Sequence, residues 1–191
     1  MAGKQAKILS RGQEQRALRH VSNTRNPERD RVMLLLSTKA GLRAGEIAKL
    51  TWPMVLRPDG AVGDRIELHD RAAKKRSGRT IPLHPQLRRA LVVLRGMQAD
   101  GVFVIRSERG AGLRPSSVVN WFAVLYRELG LEGCSSHSGR RTFITRAARL
   151  LVRAGGSLRD VQQLAGHSSI DQTQAYIDGD SHAKRRLVAL V

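Results

Sequence analysis

Proline and glycine cut this 191-residue chain into helix-length pieces. In "NPERDRVMLLLSTKAG", Pro27 stands at the first helical position, where its missing N–H costs nothing, and Gly41 supplies the stop. Asn26 can cap this helix, and Glu28 complements its positive end. In "RPSSVVNWFAVLYRELG", Pro115 lies near the start and Gly130 follows the end. "SSHSGRRTFITRAARLLVRAGG" reads as a long helix closed by Gly155-Gly156. Ser157 then caps "SLRDVQQLAGH", and either serine after His167 can cap "SSIDQTQAYI". "LSRGQEQRALRHVS" is a weak helix, "RAGEIAKL" a short one, "HPQLRRALVVLRGMQ" an amphipathic one, and "SHAKRRLVALV" a last short one. "GVFVI" is a short extended or buried segment.

The texture changes after Pro53. "VLRPDGAVGDRIELHDRAAKKRSGRTIPL" holds Pro-Asp-Gly, short alternating runs and a second turn at Ser77-Gly78, the pattern of two or three antiparallel strands with a basic far turn. The expected fold is mainly α with a small antiparallel β-sheet (α+β). It is expected as one domain over residues 10–191, preceded by a loose basic N-terminal tail over residues 1–9.

Apolar residues make up 41% and aromatics only 4%, so the core must be built from aliphatic side chains. Each tyrosine therefore invites a question. The net charge of +18 exceeds what solubility needs and attracts polyanions, with nucleic acid the default partner. The single cysteine, Cys134, excludes an intrachain disulfide and fits a reducing compartment. No apolar run nears the roughly 20 residues of a membrane span, and none at the N-terminus reads as a signal peptide. A cytoplasmic, nucleoid-associated protein is expected.

Four stretches carry chemistry. In "TKAGLRAGEIAKLTW", Arg43 is presented from a junction between helices, where its fork of donors can meet a phosphate, and Glu46 could brace it. In "KKRSGRTIPL", Lys74 and Lys75 lie near a strand-to-turn junction. A lysine there can donate a proton at a scissile phosphate, or simply touch a nucleic-acid backbone. In "SHSGRRTF", His137 and Arg140 are three apart and share a helix face. Alone that pair reads as a solvated surface, yet residues 134–159 hold six arginines and no acid. In "LAGHSSIDQTQAYI", Gly166-His167 closes one helix and Tyr176 follows on the next. A phenol, with a pKa of about 10, needs neighbouring cations to attack phosphorus at neutral pH.

The order Arg43, Lys74, His137-x-x-Arg140, His167, Tyr176 resembles the catalytic domain of tyrosine recombinases, the phage-integrase family. "GLRAGEI", "RTIPLHP", "HSGRRTF" and "LAGHSS…Y" each resemble a family box, in the family's order, from about residue 10 to the end. The resemblance implies that Tyr176 attacks a DNA phosphate to give a 3′-phosphotyrosyl link and a free 5′-hydroxyl. It implies that Arg43 and Arg140 clamp the non-bridging oxygens, Lys74 protonates the leaving oxygen, His137 takes the tyrosine proton and His167 hydrogen-bonds the phosphate. Lys74 is preferred to Lys75 because it lies eight residues before Pro82. Lys75, Arg76, Arg79 and Arg141 are expected as DNA contacts. No cofactor or metal is expected, since no zinc-ligand spacing recurs. The implied partners are double-stranded DNA at specific sites, further copies of the chain in a tetramer, and a DNA-bending accessory protein.

Two departures from the family stand out. The usual N-terminal DNA-clamping domain is expected to be absent, and the twenty-seven residues from Arg140 to His167 imply an extra helical turn before Gly155-Gly156. Tyr126, His20, His69, His84 and His182 have no box around them and are expected as packing, surface or capping residues. Two other readings remain open at this stage: a type IB topoisomerase sharing the tyrosine chemistry, and a DNA-binding regulator that keeps only the fold.

Overall fold

The computed structural model describes residues 5–70, 72, 78–98 and 100–176. In chain order they form helices α1 (Arg11–Val21), α2 (Pro27–Lys39) and α3 (Ala44–Lys49), strands β1 (Arg65–Leu68) and β2 (Arg79–Pro82), and helices α4 (Pro85–Gly96), α5 (Pro115–Glu128), α6 (Ser138–Ala154), α7 (Leu158–Ala165) and α8 (Ile170–Gln174). This is the expected helical fold with one small sheet. The strands pair antiparallel, with Ile66 opposite Ile81 and Leu68 opposite Arg79. The "GVFVI" segment is indeed buried at Val104 and Ile105, and it bridges Thr51 through Phe103. Among the described residues no helix is long and apolar enough to cross a membrane.

Helix α2 is the hub because it is apolar all round. Val32, Met33, Leu34, Leu35 and Leu36 are five consecutive residues with no exposure, which only a helix covered on every side can bury. It packs on α1, α3, α4 and α6. The main core is aliphatic, with Trp52, Phe122 and Tyr126 as its large buried rings. Tyr126 stacks on Phe122 at 5.8 Å, the packing role expected of it. A smaller cluster of Ile144, Val161 and Ala165, joined by Phe143, Ala147, Leu151 and Tyr176, seats α7 on α6.

Side-chain caps set several boundaries. Ser10 Oγ accepts from Gln13 N–H at 3.1 Å while Gln13 Oε1 accepts from Ser10 N–H at 2.9 Å, a reciprocal cap on α1. His84 Nδ1 accepts from Gln86 N–H at the start of α4, the capping role expected of this histidine. Ser157 donates its N–H and hydroxyl to Asp160 at the start of α7. Asn26, by contrast, makes no side-chain cap on α2; the helix opens on Pro27, and its buried Asp30 is held by Thr24 and Arg29.

The segment before α1 is a correction to the loose tail. Over residues 5–9 the chain runs along the start of α6: Lys7 N–H donates to Gly133 O, Leu9 N–H donates to Thr142 Oγ1 at 2.8 Å, and Leu9 is only 2% exposed. Adjacent Ile8 and Leu9 leave no periodicity to read, yet the burial of Leu9 and two backbone N–H bonds are enough to dock the strap.

Candidate active site

The site starts from a close helix crossing. Gly139 lies against Ser37 and Thr38, and a Cβ there would overlap the Ser37 side chain. With no side chain in the way, α6 approaches α2 closely enough for Arg140 to reach the turn after α2. There Gly41 adopts φ +65°, a conformation other residues enter only at a cost. Arg140 donates to Gly41 O at 2.6 Å and to Ala165 O at 2.7 Å, so one guanidinium ties the α2–α3 turn to the end of α7. Its residue is 4% exposed. Burial, then the charges of Arg43 and Arg79, lowers its pKa to about 10, so it stays cationic at neutral pH.

Arg43 sits just before α3, and its own backbone N–H and guanidinium both donate to Glu46 at 2.9 Å. The bracing expected of Glu46 is present, but it is shared. Arg79, at the start of β2, sends two further bonds of 3.0 Å to the same carboxylate and a third of 2.9 Å to Leu164 O. Burial by itself would raise the Glu46 pKa; the bonds and charge of Arg79, then those of Arg43, outweigh it and hold the carboxyl below its ordinary range. Three guanidinium groups against one carboxylate leave this cluster with surplus positive charge.

The α7–α8 turn brings the remaining partners. Gly166, at φ +62°, ends α7, and His167 follows. Its Nδ1 pairs with the buried Thr173 hydroxyl at 2.9 Å. Burial, then Arg140, Arg43 and Arg79, pushes the imidazole down to about 4, so His167 is neutral at pH 7. Tyr176, just past α8, stacks on the His167 ring with centroids 5.5 Å apart and planes 22° apart. His137 is exposed at the start of α6, and its carbonyl accepts from Arg141 N–H.

Arg43, His137, Arg140, Arg141, His167 and Tyr176 line one cleft of about 370 Å³. Gln5 and Ala6 of the docked strap complete a wall of it, and Arg141 donates to Ala6 O at 2.9 Å. Five of the six residues expected to be catalytic thus come together from four parts of the chain: the α2–α3 turn, the start of α6, the end of α7 and the end of α8. The sixth, Lys74, lies outside the described residues, as do Lys75 and Arg76. Arg79, expected as a DNA contact, has a side chain only 5% exposed, bound to Glu46 and to Leu164 O rather than lining this cleft. Strand alternation carried that signal, because Arg79 shares a face with the buried Ile81. The Thr173 partner of His167 carried no signal in the sequence.

The cleft thus brings together surplus positive charge, a neutral imidazole and a phenol. The phage integrase family model matches residues 7–182, and the chain belongs to that family. It is 28% identical over 198 residues to the tyrosine recombinase XerD of Rickettsia conorii, covering 95% of this chain and 63% of the relative. It is 32% identical over 178 residues to the tyrosine recombinase XerC of Pseudomonas syringae pv. syringae, covering 90% of this chain and 52% of the relative. The chain thus spans between about half and just under two thirds of these relatives. Its fold is similar to that of a crystal structure of XerA recombinase, with a TM-score of 0.74 at 20% identity over all of this chain and 65% of that one. It is also similar to a lambda integrase dimer bound to a COC′ core site, with a TM-score of 0.67 at 19% identity over 89% of this chain and 47% of that one.

Proposed function

We propose that this chain is the catalytic part of a site-specific DNA recombinase that cleaves and rejoins duplex DNA through a 3′-phosphotyrosyl intermediate. The observation that carries the reading is Tyr176 stacked on His167 in the cleft that Arg43 and Arg140 line. The scissile phosphate takes up the surplus positive charge, with Arg43 and Arg140 on its non-bridging oxygens. A hydroxyl proton donated by Thr173 to Nδ1 leaves His167 as the Nε2–H tautomer, which can donate to a phosphate oxygen. The Tyr176 oxygen bonds to phosphorus as His137 takes the phenol proton. The bond from phosphorus to the 5′-oxygen breaks, and Lys74 supplies the proton that makes it a hydroxyl. The reverse sequence with a new 5′-hydroxyl rejoins the strand, so the bond energy is kept throughout.

The duplex is the expected partner because the charge is large and of one sign, and because the lambda integrase of similar fold is bound to a core site. Lys75, Arg76 and Arg141 are proposed contacts to its backbone, and a tetramer on two duplexes is the proposed assembly.

Covalent capture tests the reading. Tagged wild type and Tyr176→Phe are expressed in the native host, lysed in denaturant, and the DNA ends linked to protein are sequenced. A discrete set of ends with wild type and none with Tyr176→Phe is expected. Salt-sensitive DNA binding without any adduct would make the chain a binder. Dispersed ends, with relaxation of any supercoiled plasmid, would make it a topoisomerase.

A further inference from the structure

Arg79 is the buried cation that the proposed chemistry leaves unused. It does not reach the cleft lining, yet it touches two of the segments that carry lining residues. Its guanidinium grips Glu46, and Glu46 in turn holds both the backbone and the side chain of Arg43. Its Nε–H donates to Leu164 O at 2.9 Å, in the last turn of α7 and three residues before His167. Its own backbone begins β2, the strand that follows the basic turn. Gly166 fits the same design: a Cβ there would lie 2.8 Å from Arg79 Nη1 and 3.0 Å from its Cδ, so the side chain lies flat against the turn that carries His167. Glu46 thereby receives four hydrogen bonds, two from Arg43 and two from Arg79, which fills the acceptor positions of a carboxylate.

We propose that Arg79 is a positioning residue for strand cleavage. Through Glu46 and the Leu164 carbonyl it sets the separation between Arg43 and the His167–Tyr176 pair, without itself touching the phosphate. This rests on the recombinase reading above. The device needs a planar fork, because two parallel bonds to one carboxylate and a third to a carbonyl fix orientation as well as distance. A lysine ammonium keeps the charge but cannot hold that geometry.

The test uses the 191-residue chain and the duplex recovered by covalent capture. Single-turnover adduct formation, DNA affinity against salt, and thermal unfolding are measured for wild type, Arg79→Lys, and the double variant Arg79→Met with Glu46→Gln. The double variant removes the more deeply buried pair together, and Arg43, whose side chain is 24% exposed, keeps an amide oxygen as acceptor and water for its charge. Arg79→Lys is expected to slow adduct formation about 10²-fold, the effect of misplacing reacting groups by about an ångström. Its DNA affinity and salt slope are expected to match wild type. The double variant is expected to melt near wild type and to remain slow. A salt slope lowered by about one unit in Arg79→Lys would make Arg79 a phosphate contact and overturn the proposal. Normal adduct formation in Arg79→Lys overturns it while leaving the recombinase reading intact. Recovery of both fold and rate in the double variant, or unfolding of both variants, makes Arg79 a stability residue and overturns it too. No adduct with wild type removes the reading and this inference together.

Discussion

Glu46 shows how one residue can hold a positive site together. It is 1% exposed, and it is the carboxylate between Arg43 and Arg79, with Arg140 close enough to feel its charge. Replacing Glu46 with Gln keeps the volume but leaves buried guanidinium groups facing one another. Breaking a buried ion pair from one side costs about 3–5 kcal/mol. Glu46→Gln is therefore expected to lose stability by that amount in urea unfolding, with a lower midpoint and an unchanged slope. A loss under about 1 kcal/mol would mean that water, not Glu46, screens the cluster. Glu14 uses the same logic outside the site. It is buried among Lys39 and Arg146, whose bonds and charges outweigh the upward push of burial and lower its pKa.

At the scale of elements, much of the fold was legible because local chemistry marked it. Ser10, Pro27, Pro115 and Ser157 open α1, α2, α5 and α7, and Gly41, Gly130, Gly155 and Gly166, all at positive φ, follow α2, α5, α6 and α7. The long helix expected before Gly155-Gly156 is α6, which runs seventeen residues to Ala154. What stayed hidden depends on distant partners. Nothing near Leu9 announces Thr142, and nothing near Arg79 announces Leu164. The site order and the Glu46 brace on Arg43 could be read from the sequence; the sharing of that carboxylate with Arg79 could not. Gly139 is the clearest case of an element-scale requirement. Gly139→Ala puts a methyl group into Ser37 and must push α6 away from α2, drawing Arg140 off Gly41 O. The expected outcome is a loss of about 1–3 kcal/mol, as for other overpacked sites, together with a loss of adduct formation. A variant that is destabilised but cleaves at the wild-type rate would show that the helix spacing does not set the position of Arg140.

For the whole molecule, charge governs both binding and acid sensitivity. If six to ten phosphates are contacted, DNA affinity should fall by about 10³–10⁵ between 50 and 200 mM salt, read by fluorescence anisotropy. A flat response would argue against backbone-dominated binding. The stability profile has a defined sign. His167 has a folded pKa of about 4 against an ordinary 6.5, so the unfolded chain binds the extra proton between those values. Stability is therefore full above pH 6.5 and declines as pH falls toward 4; the lowered carboxyls of Glu46 and Glu14 extend the decline below that. Thermal unfolding against pH should show this, and His167→Gln should flatten the 6.5-to-4 portion. Identical profiles for the two proteins would rule His167 out as its source. Arg43 ends on a carboxylate, but three other arginines in and around the cleft reach main-chain carbonyls. Arg140 holds those of Gly41 and Ala165, Arg79 that of Leu164, and Arg141 that of Ala6. A carbonyl is the one acceptor that no codon change can delete. Leu164, Ala165 and Ala6 can thus be exchanged over generations without erasing a single one of these anchors, and lineages can drift far apart in their letters while inheriting the same pocket.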